Sequence, residues 1–325
     1  MFGFRYTKAA DEESALRAAA AGARYIAGGT TLVDLMRETV ERPEALVDIN
    51  ALPYTSIEVR PGRISIGSLV RMSDLAAHPV VRQQVPVISQ ALELSASAQL
   101  RNMASIGGNL LQRPRCLYFR DVSAACNRRV PGAGCAAAEG LNRTHAILGT
   151  SPQCVATHPS DLAVALVALD AVVVARDTFG QRRIPVSDLF RQPGDTPHQE
   201  HNLRAGELIT AIEVPVGPEA ARSGYLKVRD RASYEFALAS AAVALDITAG
   251  VVRSARVAVG GVATVPWRLP AVEAALRGQP PSVKVFRRAA ALAAEGAKPL
   301  ADNAFKVELV KRAVEKQLSA VAAMP

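Results

Sequence analysis

The chain has 325 residues and a mass of 34.3 kDa, enough for two domains of ordinary size. Hydrophobic residues make up 49% and charged residues 21%, a globular and not a disordered composition, and the longest apolar run, Leu162–Leu169, is far shorter than a bilayer span. Lys plus Arg exceed Asp plus Glu by 38 to 30, which suits an anionic cofactor or an acidic partner; aromatics at 5%, with no basic stripe interleaved with Tyr or Phe, argue against stacking on single-stranded nucleic acid.

The N-terminal run Met1 to Tyr6 lacks the basic segment and long apolar core of a secretory signal, so no signal peptide of the chain's own is expected. Ala9–Ala21 is Ala-rich with Leu16 on one face and stops at Gly22, the pattern of a helix. Arg24–Ala27 reads as a short strand, Gly28-Gly29-Thr30 as a break, and Thr31–Val40 as a helix with Leu32, Leu35 and Met36 on one side. Leu46–Ile49 is a second strand. Ser56–Arg60 and Arg63–Gly67 form a hairpin around Pro61-Gly62, followed by helices at Arg71–Ala77 and about Val85–Ala98 and by a glycine-rich break at Ser105–Asn109. Residues 110–158 show no periodicity. Ser160–Asp170 is an apolar helix that Ser160 caps, Ala171–Ala175 and Gln181–Pro185 a second hairpin, and Leu208–Pro215 a strand. Pro215–Pro218 reads as a linker; beyond it come strands at Tyr225–Arg229, Ala237–Ile247 and Ser254–Val259, then helices at 270–277, 282–294 and 303–323, a separate α+β unit.

Two glycine pairs carry ligand chemistry. Ala27-Gly-Gly-Thr30 lies between a strand and a helix, where the backbone approaches a ligand closely and free N–H groups favour an anion; Ser105-Ile-Gly-Gly-Asn109 is a second such pair. Together they suit one pyrophosphate held from two sides. Neither is a Walker A loop or a GxGxxG fingerprint, and a lone Gly-Gly is more often only a tight turn.

All four cysteines, Cys116, Cys126, Cys135 and Cys154, lie in the aperiodic stretch with spacing C-x9-C-x8-C-x18-C. Three readings stand. Disulfides need an oxidising compartment. A structural zinc site usually shows close C-x2–4-C pairs, and there are none. An iron–sulfur cluster takes four thiolates and tolerates wide spacing in a long loop. Arg113, Arg115, Arg120, Arg128, Arg129 and Arg143 stand near the thiols in sequence and suit a negatively charged cluster, and Gly132 and Gly134 are candidate N–H donors to sulfur. His145 and His158 flank Cys154 but read as polar loop residues.

In combination, Ala27-Gly-Gly-Thr-Thr-Leu32, Ala104-Ser-Ile-Gly-Gly-Asn-Leu110, Ser160-Asp-Leu-Ala163 and the run Tyr225–Tyr234 resemble the FAD-binding subunit of the molybdenum hydroxylases, the xanthine dehydrogenase and carbon monoxide dehydrogenase medium-subunit family. The resemblance covers the whole chain. It implies an α+β fold: a two-part FAD-binding domain of the PCMH/VAO type over 1–217 (subdomains about 1–55 and 56–217, with the cysteine insertion at about 110–158), then a smaller domain over 218–325 with a three-stranded sheet and helices. It implies FAD contacts at Tyr25, Ile26, Ala27, Gly28, Gly29, Thr30, Thr31, Leu32, Ser105, Gly108, Asn109, Asp161, Ile209 and Lys227, Thr31 standing where relatives often carry an acid. The four-cysteine insertion resembles that of bacterial periplasmic aldehyde oxidoreductases and implies a [4Fe–4S] cluster on Cys116, Cys126, Cys135 and Cys154.

The implied function is that of an oxidoreductase subunit carrying electrons, with no catalytic acid–base set of its own. Its partners would be a large subunit with the molybdenum cofactor, a small subunit with [2Fe–2S] clusters and an external acceptor, with aldehydes the first substrate class. Xanthine dehydrogenase-like, 4-hydroxybenzoyl-CoA reductase-like and stand-alone flavoenzyme readings are the alternatives. The compartment is the periplasm, by co-export with a twin-arginine partner, or the cytoplasm.

Overall fold

Asp11 begins the first helix: its carboxylate accepts the Ser14 N–H at 2.7 Å while the Ser14 hydroxyl returns to Asp11, a capping box that starts Glu12–Ala20. In the computed structural model, which describes residues 1–324, that helix covers a parallel sheet of β1 (Arg5–Lys8), β2 (Arg24–Ile26) and β3 (Ala45–Asp48), ordered β1-β3-β2. Strand β1 has no sequence signal because all four residues are exposed; its pairing to β3, not burial, forms it.

A second, antiparallel sheet contains β4 (Ile57–Arg60), β5 (Arg63–Gly67), β6 (Val172–Asp177), β7 (Gly180–Pro185) and β8 (Leu208–Pro215), ordered β4-β5-β8-β6-β7. The expected helix at about Val85–Ala98 is instead two pieces. Pro86 opens Pro86–Glu93, and left-handed Ala96 (φ +47°) ends the run before Ser97 caps Ala98–Met103. Helix Asp161–Ala168 is buried at every residue, which explains its unbroken apolar sequence.

The third sheet is β9 (Ser223–Val228), β10 (Ala239–Thr248), β11 (Val251–Gly260) and β12 (Trp267–Arg268), ordered β12-β11-β10-β9. It has four strands where three were expected; the fourth is a two-residue edge opposite Ala258–Val259. The anticipated linker at Pro215–Pro218 is ordered: the Val216 N–H donates to Gly62 at 2.9 Å and Pro218 opens a helical turn.

Three cores result. One unites Leu16, Val47 and Ile49 with Leu208 of β8. A larger one joins the second sheet to helices Pro86–Glu93 and Asp161–Ala168. The third fills the C-terminal sheet and its helices and also takes in Ile147 and Leu148 from the cysteine stretch. Among the described residues no helix is long and apolar enough to cross a membrane.

Candidate functional site: a glycine-walled cleft beside four thiols

The first glycine pair follows β2 directly and precedes helix Leu32–Arg37. Gly28 is glycine for a packing reason. A Cβ there would stand 1.9 Å from the Met103 carbonyl oxygen, so the chain entering the second glycine segment lies directly against the first. A polar strut fixes the distance. Arg71 donates to the Met103 carbonyl at 2.6 Å and to Asn50 Oδ1 at 2.9 Å, and Asn50 Nδ2 donates to the Ala27 carbonyl at 3.1 Å. Neither Asn50 nor Arg71 lies in a recognisable motif, so sequence reasoning missed both.

The second segment is not an open loop. Ser105 caps a short helix, Ile106–Leu110, by accepting the Gly108 N–H at 3.3 Å. Gly107 has no room for a side chain, since its Cβ would lie 3.0 Å from Ser68 Cβ.

Between these segments and the Leu203–Ile209 wall opens a cleft of about 470 Å³. Of the residues expected at the cofactor, Tyr25–Leu32, Ser105, Gly108 and Ile209 all line it. The N–H groups of Gly28, Gly29, Thr30, Thr31 and Leu32 take no backbone acceptor among the described residues, leaving a row of donors for an anionic guest. The Ser68 hydroxyl also lines the cleft, buried and unpartnered, and sequence offered no signal for it. The opposite wall is held by Glu207, which takes Arg182 at 2.6 Å. Burial alone would raise the Glu207 carboxyl, but the Arg182 bond and the Arg204 N–H outweigh it and hold the carboxyl below its ordinary range.

Asn109, Asp161 and Lys227 stand outside this lining. Asn109 Oδ1 accepts the Ser160 hydroxyl at 2.6 Å and so ties the second glycine helix to the Asp161 helix. Asp161 accepts from Lys227 Nζ at 2.7 Å, Tyr225 OH at 2.7 Å and Ser95 Oγ at 3.0 Å. Both charged side chains are almost wholly buried, at 1% and 6% exposure, so contact from either to a ligand in the cleft requires this pair to open.

The four thiols converge. Cys116, Cys126, Cys135 and Cys154 line one small cavity, and all are free of disulfides. Cys126 and Cys135 face each other as a non-hydrogen-bonded antiparallel pair, flanked by Asn127 N–H to Gly134 at 2.7 Å and Ala136 N–H to Ala125 at 3.1 Å. Among the described residues no three His, Cys, Asp or Glu side chains come together as a single-ion site. The Gly134 N–H, expected at sulfur, donates to Asn127 Oδ1 at 2.8 Å instead. Burial pushes the lone Cys116 thiol up to about 12, so a buried thiolate here needs a positive partner.

Of the six arginines, only Arg128 reaches a thiol, with Nη2 3.5 Å from Cys154 Sγ. Arg115 and Arg120 pair with Asp34 at 3.0 and 2.5 Å, Arg143 with Asp230 at 2.7 Å, and Arg129 bonds the carbonyls of Tyr118, Phe119 and Ala124. His158 packs edge-on against Phe190, whereas His145 Nε2 lies 3.2 Å from Cys116 Sγ. Leu35, on the helix leaving the first glycine pair, packs on Phe119 and Cys126, so that helix links the glycine segment to the thiol stretch.

Comparison with known proteins agrees with this architecture. Residues 2–217 match the family model described as the FAD binding domain in molybdopterin dehydrogenase, and residues 224–321 match the CO dehydrogenase flavoprotein C-terminal domain. The chain is 48% identical to the aldehyde oxidoreductase FAD-binding subunit PaoB of Escherichia coli, over 92% of this chain and 91% of that one. It is 28% identical to the glyceraldehyde dehydrogenase medium chain of Sulfolobus acidocaldarius, over 83% and 79%. In fold it matches a chain of the carbon monoxide dehydrogenase from Hydrogenophaga pseudoflava with a TM-score of 0.77 at 24% identity, covering 98% of this chain and 97% of that one. With both domains matched in order along nearly its whole length, the chain belongs to the FAD-binding medium subunits of the molybdenum hydroxylases, an oxidoreductase family.

Proposed function

We propose that this chain is the FAD- and [4Fe–4S]-carrying electron-transfer subunit of a heterotrimeric, aldehyde-oxidising molybdenum hydroxylase. The observation that carries this reading is the convergence of all four cysteines on one cavity, joined to the helix that leaves the first glycine pair by the packing of Leu35 on Phe119 and Cys126. Four thiols on one cavity fit the ligand chemistry of an iron–sulfur cubane, and the close C-x2–4-C pairs usual for structural zinc do not occur among them. The 48% identity to an aldehyde oxidoreductase subunit supports aldehydes as the substrate class, the substrate chemistry residing on a large partner subunit.

In this reading the free N–H groups of Gly28–Leu32 hold the FAD pyrophosphate, with Gly108 and the Ser105 turn closing from the other side. Ile209 supplies an apolar wall and Ser68 a hydroxyl. Cys116, Cys126, Cys135 and Cys154 ligate the cluster. When bound, FAD supplies conversion between electron pairs and single electrons, taking them from the [2Fe–2S] subunit and delivering them to an external acceptor. The protein's part is to fix the position of these groups and shield them from water.

The test is to purify the chain with its two co-expressed subunits, quantify flavin and iron, and measure turnover on aldehydes and on purines. Flavin bands over a broad iron–sulfur absorption, with aldehyde turnover, are expected. Absence of bound flavin, or purines oxidised in preference to aldehydes, would overturn the reading.

A further inference from the structure

One carboxylate joins the cleft to the thiols. Arg113 lines the cleft, and its guanidinium contacts Glu200 Oε1 at 2.7 Å and Glu41 Oε1 at 2.7 Å. The other oxygen of Glu200, Oε2, takes Arg128 Nη1 at 3.5 Å, and Arg128 Nη2 reaches Cys154 Sγ at the same distance. Arg113 also donates to the Arg128 carbonyl at 3.4 Å and lies 4.6 Å over the Phe119 ring, which packs on Cys126. The group is poorly solvated, with side-chain exposures of 6% for Arg128, 16% for Glu200 and 21% for Arg113. Charges so placed are weakly screened by water or salt.

We propose that Glu200 is a positioning residue that couples the two sites electrostatically, setting the redox potentials of the FAD and of the thiol-held cluster together. This rests on the proposed presence of both groups. With Glu200 in place, one negative charge offsets the arginine that faces the cleft and the arginine that faces sulfur. Without it Arg128 loses its carboxylate partner and Arg113 keeps only Glu41, so less negative charge offsets the two cations. Each reduced centre carries added negative charge and is then stabilised, so both potentials move up.

The experiment is a spectroelectrochemical titration of the assembled complex in three forms, wild type, Glu200→Gln and Glu200→Asp, with Glu93→Gln as control, since Glu93 makes only an exposed pair with Arg82. Glu200→Gln is expected to raise both reduction equilibria on the order of tenfold, about 59 mV for the one-electron iron–sulfur couple and about 30 mV for the two-electron flavin couple. Glu200→Asp, which keeps the charge, is expected to return both most of the way, and Glu93→Gln to move neither. A shift in only one centre, or in neither, overturns the coupling. Should Glu200→Gln fail to fold, Arg128→Gln tests the bridge from its other end: removing that cation is expected to lower the iron–sulfur potential, and an unchanged potential overturns the inference. Wild-type complex holding no iron beyond that of its [2Fe–2S] subunit, or no flavin, would sink the proposed function itself, whereas a full complement of iron and flavin with unmoved potentials would sink only this inference.

Discussion

Replacing Gly28 by alanine puts a Cβ 1.9 Å from the Met103 carbonyl oxygen, 2.7 Å from its carbon and 3.1 Å from Ala104 Cα. All three are backbone atoms, so no rotamer change relieves the clash, and the two glycine segments must separate. Overpacking of this kind costs about 1–3 kcal/mol, and a clash with backbone belongs at the upper end. For a domain of this size that is a fall in melting temperature of roughly 6–12 °C. The displacement also strains the Arg71–Asn50 strut between the segments and moves the N–H donors of Gly28–Leu32 away from Ser105. If the whole cost falls on the bound state, flavin affinity drops about a hundredfold, at about 1.4 kcal/mol per factor of ten. Gly29→Ala is the comparison. Its Cβ would meet only side-chain tips, Val33 Cγ2 at 3.1 Å and Ile26 Cδ1 at 3.7 Å, although φ is +71°, and the left-handed backbone alone costs about 1–2 kcal/mol. The assay is the flavin-to-protein ratio after gel filtration of the complex, paired with thermal denaturation with and without added FAD. Full flavin content and an unshifted melting temperature in Gly28→Ala would refute the claim that the two segments are held in contact to clasp one ligand.

Three further outcomes follow from buried groups. Cys126→Ala is expected to abolish cluster iron while FAD is retained, measured as iron and flavin per chain; undiminished iron would remove Cys126 from the ligand set. Asp161→Ala leaves the Lys227 ammonium buried with only the Leu94 carbonyl, at a cost of about 3–5 kcal/mol in urea denaturation, and adding Lys227→Met should recover part of it. Lys306 is fully buried and donates to the carbonyls of Thr144, His145 and Gly261, and burial, helped by Arg143, lowers its pKa from 10.5 to about 7. Between these values the unfolded chain binds a proton that the folded one does not, so stability rises with pH from about 7 towards 10.5. The stability difference between wild type and Lys306→Met should therefore grow across that window, and a flat difference would sink the assignment.

What could be read from the sequence follows the physics of each element. Strand β8 is legible over Leu208–Pro215 because burial alternates from Thr210 onward, which imposes a period of two on most of it. Strand β1 was not, since none of its residues is buried. Ser105–Asn109 reads as a loop because two glycines are poor helix formers, yet the Ser105 cap and the contact of Gly107 with Ser68 make it helical. At the cleft, residues adjacent in sequence announced themselves, as Tyr25–Leu32 did. Residues brought together only by folding did not: Arg71 and Met103, Arg113 and Glu200, and the Asp161–Lys227 pair are joined by tertiary packing alone. Lys306 carries no signal in the sequence beyond its place in the helical segment 303–323, and only the carbonyls gathered around its Nζ give it a role.

The cysteine stretch is gripped from two sides, and this bears on what a cluster would do there. On one side, Leu35 of the first subdomain packs on Phe119 and Cys126. On the other, Ile147 and Leu148 enter the C-terminal core, Asn142 and Asp302 exchange hydrogen bonds at 3.3 and 2.9 Å, and Asn303 and Lys306 hold the His145 carbonyl. Cys116 and Cys126 thus belong to the half fixed on the FAD domain. Cys154 belongs to the half fixed on the C-terminal domain, through the Ala146 N–H to Val155 at 2.9 Å. The Cys154 turn is also held to the FAD domain, where Ser151 Oγ donates to the Gly194 carbonyl at 2.8 Å, so a group liganded by all four thiols would favour the arrangement in which both attachments are made and stabilise it by mass action. Four-cysteine ligation would thus add to the contacts that already join the stretch to both domains, whichever path the electrons take. Without the group, the contacts of Lys306 and Asn303 with the His145 carbonyl would still tie the stretch to the C-terminal domain.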